Sequence, residues 1–457
     1  MSATETLVNF TVGLRYEDLP AEVVEKAKLC LLDSLGCGLA GRRTRLGRVI
    51  VEHVKETGGA RQATLIGDRT KVPCAQAAFA NSAMINALDY DETFENHGHP
   101  GSSLIPAALS VGEHLRVSGR ELIEAMVAGY EISTRIGAAI QPSRGRMSEV
   151  WFCGTWHTFG PAAAAGKLLR LDSLQMANAF GIAGATSPIP TGGPGGWGPR
   201  PQTWVKEPTA WPAYEGVLAA QLAKRGFKGN RIILDGKLGF WRMAGSDQCD
   251  FDAMVKGLGS IYRILDISFK PYSSCRWTHS TLDAVKELAE SNKLAPERIR
   301  EVVVRTFPQH ITDLTDYEPA TLVDGEMSTP YTVAMVLLGI KPGPDWFSDR
   351  TLRDPKALSL AKKVKIEVDD EATRIFVKDR KMVSTVQISI DDGQRLTARK
   401  EYAKGDPKNP MTKDELLEKF RTLAKQTLTA SKTEKLACAI EGIETTGNIS
   451  SLALRFH

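Results

Sequence analysis

Hydrophobic spacing changes once along this chain, and the change limits the folds open to it. Up to about residue 268 apolar residues recur at helical intervals; beyond it several segments alternate apolar and polar as strands do. Pro20 opens a run with Val23, Val24, Ala27, Leu31 and Leu35 on one face, closed by Gly36. Gly119–Ile140 repeats the pattern through Leu122, Met126, Ile132 and Ile136. Pro161–Leu171 and Ser173–Thr186 are rich in Ala and Gly, as closely packed core helices are. Ala213–Gly226 reads as another helix, with Lys224 and Arg225 at the end the helix dipole favours.

Past the change, Glu301–Phe307, Lys363–Val368 and Val386–Ile390 read as strands. Asp391-Asp392-Gly393 then joins Val386–Ile390 to Arg395–Glu401, and Asp-Gly between alternating segments signals a hairpin. Helical stretches His279–Glu290, Tyr331–Gly339 and Pro355–Lys363 lie among these strands. After the breaker cluster Gly405–Pro410, Lys413–Leu428 and Lys432–Ile443 return to helix. The pattern predicts a mainly α protein with an α+β part. A large all-helical domain is built from 1–267 and 406–457, and a smaller α+β domain, 268–405, is inserted in it.

Charge and composition exclude several functions. Lys+Arg number 58 against 54 Asp+Glu, a net charge of +4 without a dense basic block, so no nucleic-acid partner is expected. The longest apolar run, Val333–Ile340, is far short of the roughly 20 residues a membrane span needs. Met1–Pro20 carries Glu5, Glu17 and Asp18 where an export leader would be basic. The seven cysteines (30, 37, 74, 153, 249, 275 and 438) are scattered without CxxC pairs, which points to reduced thiols in a cytoplasm and to no structural zinc site.

The densest polar segment is Asn81–Ser103. If 81–93 forms one helix, Asn86, Asp89 and Thr93 share a face. Gly98, Pro100 and Gly101 then break it, and a new helix is expected near Ser103, capped by that hydroxyl, with Pro106 in its first turn. His97 and His99 fall in the bend beside this helix N-terminus, where free backbone N–H groups attract a carboxylate. The same field disfavours an imidazolium and leaves His99 neutral, able to act as a base. His97-x-His99 with Asp89 or Asp91 has a metal-like spacing, but no further His or Cys pair supports it, so no metal is expected.

Cations come from two further places. Lys206 follows a glycine-rich stretch, and a lysine leaving such a loop can clamp a carboxylate as a point charge. Ser268–His279 brings Lys270, Arg276 and His279 together where the two domains should join, a favoured place for small-molecule sites. Cys275 beside Arg276 is a candidate thiol nucleophile, though a structural thiol is commoner. GPGGWG at 193–198 matches G-x-G-x-x-G, but no strand precedes it and Pro190, Pro194 and Pro199 crowd it; it reads as a loop, and no nucleotide cofactor is expected. GxxxxGK[ST] and GxSxG are absent from the sequence.

These residues add up to a resemblance. NSAMINALDYDETFENHGHPGSSLIPAALSVGEH is similar to the signature of the MmgE/PrpD family. LLDSLGCGLAG, GTWHTFGPAAAAGKLLRLD, Val205-Lys206, FKPYSSCRWTH with Asp283-Ala284, and Glu326-Met327-Ser328 ahead of Tyr331-Thr332-Val333-Ala334 match in order. The resemblance implies a helical domain with an α+β second domain, usually dimeric. It also implies reactions like those of 2-methylcitrate dehydratase, cis-aconitate decarboxylase and iminodisuccinate epimerase. It puts active-site groups at Asp89, Thr93, His99, Lys206 and Lys270. Two positions depart from it. Trp151, followed by Phe152 and Cys153, stands where the family often has a histidine. Cys275 stands where some decarboxylases have one, five residues after the second lysine.

The expectation is a cofactor-independent enzyme acting on a small di- or tricarboxylate by moving a proton at the carbon next to a carboxylate. His99 is the acid/base and Asp89 orients or tunes it. Lys206 and Lys270 bind carboxylates, Thr93 hydrogen-bonds one, and Arg276 and His279 assist in binding or proton transfer. Dehydration is the first expectation, epimerisation of an amino-dicarboxylate follows, and decarboxylation is third because of Cys275. A binding protein that has lost the chemistry is the non-enzymatic alternative.

Overall fold

The computed structural model describes residues 2–95, 98–147, 149–150, 154–188, 201 and 209–457, with backbone alone at 144 and 147. Helix α1 (Ala21–Gly41) buries Val23, Val24, Ala27, Leu31 and Leu35, as their spacing predicts. It does not stop at Gly36. A Cβ there would lie 3.2 Å from the Phe420 ring, so this glycine serves close packing rather than termination. Helices α2 (Cys74–Asn86), α3 (Pro100–Leu115), α4 (Gly119–Ala139), α5 (Phe159–Leu168), α6 (Ser173–Thr186) and α7 (Ala210–Lys224) complete the main helical layer up to residue 224. Ala162–Ala165 of α5 are all fully buried, and such short side chains let α3, α4 and α7 approach α5 closely.

Short strand pairs interrupt this region, which the sequence did not predict as anything but helix and loop. Ala63–Thr64 pairs with Lys71–Val72, and β1 (Thr93–Phe94) pairs antiparallel with β2 (Ile267–Ser268). The second pair ties the polar segment after α2 to the chain just ahead of Lys270.

Helix α8 (His279–Ser291) then leads to β3 (Ile299–Thr306), α9 (Thr329–Leu337), β4 (Val364–Val368), β5 (Ser384–Ile390) and β6 (Arg395–Lys400). The sheet order is β4-β3-β5-β6, with β4 parallel to β3 and the other pairs antiparallel. Gly393, at φ +87°, makes the expected hairpin between β5 and β6, because a glycine takes that left-handed turn without strain. Helix α8 packs on β5 and β6 and against α9. Helices α10 (Lys413–Ala424) and α11 (Ala430–Glu441) follow, and both pack against α1.

One apolar core runs from Leu7 to Phe269 and resumes from Leu416 to Phe456. A second holds Tyr272, Leu282, Val302, Tyr331, Trp346 and Ile388. The fold is therefore mainly helical with an α+β region, as the periodicity predicts. Among the described residues no helix is long and apolar enough to cross a membrane.

Candidate active site

Helix α2 ends at Asn86, not at Thr93, so Asn86, Asp89 and Thr93 do not share a helix face. Asp89 turns the chain at φ +44°, in the left-handed region. Three successive carbonyls that a continuing helix would have used are taken by side chains instead. Ser273 Oγ donates to Leu88 O at 2.7 Å, Lys270 Nζ to Asp89 O at 2.9 Å and Lys419 Nζ to Tyr90 O at 2.6 Å. Thr93 then lies buried in β1, opposite Ser268.

Helix α3 starts at Pro100, three residues earlier than expected, with His99 as its N-cap. Proline suits the first helical position because its missing N–H would go unused there. Ser103 is not the cap; its hydroxyl donates to Thr209 O, and Pro106 lies inside the helix. Gly101 donates its N–H to Glu92 Oε1, and a Cβ at this position would collide with Glu92 and with the Tyr130 hydroxyl. The glycine is required by that close approach.

The two turns bring one imidazole between two carboxylates. His99, only 5% exposed, has Nδ1 2.9 Å from Asp91 Oδ2 and Nε2 3.4 Å from Asp89 Oδ1. Asn86 donates its amide to both oxygens of Asp91, at 3.2 and 3.3 Å. Lys270 Nζ, fully buried, lies 2.9 Å from Asp89 Oδ1. An ionised carboxylate only accepts, so the hydrogen between His99 and Asp91 belongs to Nδ1. Nε2 faces Asp89 at the longer distance, and Asp89 accepts from it when the ring is protonated, so Nε2 is the nitrogen at which a proton can be gained or lost. The helix N-terminus is not the main field on this ring, as the sequence suggested; two carboxylates face it.

Sequence reasoning assigned the orienting role to Asp89, but Asp91 makes the closer contact. Asp91 entered the sequence reading only as a companion of the metal-like His97-x-His99 spacing. Asp89, Asp91 and His99 do place ligand atoms within 4.8 Å of one another. The Lys270 ammonium already supplies positive charge at Asp89, which a cation would have to displace.

Two further buried groups sit close to His99 electrostatically. Burial pushes the Glu92 carboxyl up to about 8, while the charge of His99 pulls it down and Asp91 pushes it up. Its Oε1 accepts from the Tyr130 hydroxyl at 2.9 Å. Burial, and then the charge of His99, hold the His157 imidazole well below the usual histidine range. His157 is fully buried beside the Trp156 ring, and neither of its ring nitrogens has a hydrogen-bond partner among the described residues. The GTWHT motif contained it, but no spacing rule links residue 157 to residue 99.

The junction segment divides. Lys270 joins the site, whereas Arg276 and His279 bind each other and backbone carbonyls. Arg276 donates to Lys404 O at 2.9 Å and lies 3.2 Å from His279 Nδ1. His279 Nε2 donates to Ser274 O at 3.2 Å, and the ring packs edge-on to Tyr272. Burial holds His279 well below the usual histidine range, with the charges of Arg276 and Lys270 adding to it. Arg276 also borders a cleft of about 570 Å³ with Ser268, Ser280, Lys381 and Tyr402. Cys275 is buried in a small apolar cluster with Leu314 and Met327. Lys206, His97, Trp151, Phe152, Cys153 and the glycine-rich stretch 193–198 lie outside the described residues.

The MmgE/PrpD N-terminal domain matches residues 5–252, and the MmgE/PrpD C-terminal domain matches residues 272–445. The chain belongs to the MmgE/PrpD family. This MmgE/PrpD chain is 28% identical to a cis-aconitate decarboxylase of Aspergillus terreus, over 98% of its own length and 94% of that protein. It is 25% identical to the cis-aconitate decarboxylase of Homo sapiens, over 97% and 92%. It is 23% identical to a 2-methylcitrate dehydratase of Salmonella typhi, over 94% and 92%. These MmgE/PrpD relatives are enzymes named for carboxylic acids, and the chain is a member of that enzyme family.

Proposed function

We propose that this protein is a lyase of a small di- or tricarboxylic acid, working by proton transfer at the carbon next to a carboxylate. The observation that carries the reading is His99 held between Asp91 at Nδ1 and Asp89 at Nε2, with Lys270 on Asp89. Asp91 fixes the tautomer, and Nε2 takes the proton from carbon. The imidazolium that forms lies 3.4 Å from Asp89 Oδ1, which stabilises it. Lys270 spends two of its three N–H groups on Asp89, so the third is left for the charge that develops on the substrate carboxylate. Lys206 is proposed as the second carboxylate clamp and Thr93 as a hydrogen-bonding partner.

Elimination of water from a hydroxy acid of the 2-methylcitrate kind is the reaction these residues favour. Cys275 supplies no imidazole, and both ring nitrogens of His279 are engaged internally. Decarboxylation of an acid of the cis-aconitate kind is the second reading, favoured by the decarboxylase relatives at 25 to 28% identity along nearly the whole chain. The proposal also takes the protein to be a cytoplasmic homodimer without a resident cofactor, and free thiols at the six described cysteines agree with a reducing compartment. It keeps the division into 1–267 with 406–457 and 268–405, which the two separate apolar cores support.

The test is incubation with citrate, 2-methylcitrate, cis-aconitate and amino-dicarboxylates in D₂O, followed by proton NMR. The expected result is one acid that loses water and exchanges the hydrogen next to its carboxylate, with both effects absent in His99→Ala. Release of carbon dioxide from cis-aconitate selects the second reading. Turnover that survives His99→Ala overturns both.

A further inference from the structure

The Tyr90 peptide lies between the two carboxylates that hold His99, and its carbonyl is held from far away in the chain. Lys419, on α10, donates to it at 2.6 Å and stands over the Tyr90 ring at 4.1 Å. The same ammonium lies 2.6 Å from Asp33 Oδ1 on α1. The pair is deeply buried, with side chains 4% and 0% exposed. Burial raises the Asp33 carboxyl, while Lys419 and the backbone N–H of Glu92 pull it back down. Asp33 therefore pairs with Lys419, and Lys419 grips the turn at Tyr90.

We infer that Lys419, backed by Asp33, is a positioning residue that sets the spacing of Asp89 and Asp91 about His99. The inference rests on the reading of His99 as the proton carrier. A buried ion pair costs desolvation, and an apolar pair of similar volume often serves stability as well or better. What an apolar pair cannot do is donate to Tyr90 O. Without that donor a buried carbonyl is unsatisfied, and the left-handed turn at Asp89 loses one of its three side-chain anchors. Small displacements of a catalytic group are expensive, up to about 100-fold in rate for roughly 1 Å. Lys419 touches neither the imidazole nor the reacting carbon, so its effect appears in turnover and not in substrate affinity.

The test compares Lys419→Met with the double variant Lys419→Met/Asp33→Asn. The double variant leaves no buried unpaired charge, so it is expected to fold and to melt near the parent even if the single variant does not. Two readouts are taken on it. Hydrogen exchange followed by mass spectrometry on the 88–95 peptide is expected to quicken while the α4 and α5 peptides stay protected. With the acid identified by NMR as substrate, kcat is expected to fall roughly 10- to 100-fold with KM little changed. Parent-like exchange at 88–95 together with parent-like kcat in the double variant overturns the inference and leaves Lys419 as a charge partner only. The exchange readout needs no substrate, so it judges the clamp even if the His99 reading fails.

Discussion

Two polar segments of this protein look alike in composition and behave differently in the fold. Most of the described residues of the 86–99 segment and of the 268–279 segment are buried, both segments carry histidine and charge, and both lie near the junction of the helical and α+β regions. In the first, side chains of opposite charge point at one imidazole: Asp91 and Asp89 at His99, with Lys270 arriving from the other segment. In the second, Arg276 and His279 hydrogen-bond each other and the carbonyls of Ser274 and Lys404. Burial and polarity alone do not distinguish the two. What differs is whether the side chains meet one another or are held by backbone carbonyls.

Substitution puts that contrast at risk. The largest effect is expected at His99: replacement by Ala should cost about 10²- to 10⁴-fold in turnover, the usual contribution of one positioned acid/base. Asp91→Asn, which removes the acceptor at Nδ1, should cost about 10- to 100-fold, as the loss of an orienting partner does. Steady-state kinetics on the acid identified by NMR checks both. A milder effect of Asp91→Asn than of Asp89→Asn would make Asp89 the orienting carboxylate and Asp91 the lesser partner.

His279→Asn should behave in the opposite way. It deletes buried hydrogen bonds, so about 1–3 kcal/mol of stability is expected to go, with turnover near the parent value. Denaturant melts beside kinetics decide this, and a collapse of kcat at unchanged stability would merge the two segments into one site.

The smallest effect is a pH dependence. The folded Glu92 carboxyl titrates near 8, above its ordinary value of 4.5, so the folded state binds the proton more tightly than the unfolded chain. Its contribution to stability is full below about 4.5 and is lost as pH rises toward 8. Glu92→Gln should therefore flatten the fall of Tm with pH across that window, and an unchanged slope would mean the carboxyl is ionised when folded.

Much of the architecture was legible because it follows local period. Ser173–Thr186 is helical between the expected ends, and the hairpin at Gly393 joins the expected strands. The misreadings have non-local causes. Gly36 looked like a helix stop, but the residue that needs its missing side chain is Phe420. The helix expected to reach Thr93 stops at Asn86, and the carbonyls of residues 88–90 just beyond it are held by Ser273, Lys270 and Lys419 from far along the chain. In the site, Asp89, His99 and Lys270 were each singled out from sequence and do meet. Asp91 and His157 were not singled out as neighbours of His99, because only the fold brings their contact and their charge to that ring. Arg276 and His279 were chosen for charge and position, and sequence does not show that a carbonyl already holds them.

The bond from Lys419 to the Tyr90 carbonyl has a consequence for the order of assembly. A ribosome makes the turn at residue 89 more than three hundred residues before it makes the lysine that holds it. Helices of the amino-terminal half can pair during synthesis, yet the proposed acid–base centre waits for a strut that arrives after the four-stranded sheet. A nascent chain released early would own the histidine and both aspartates and still lack their working geometry.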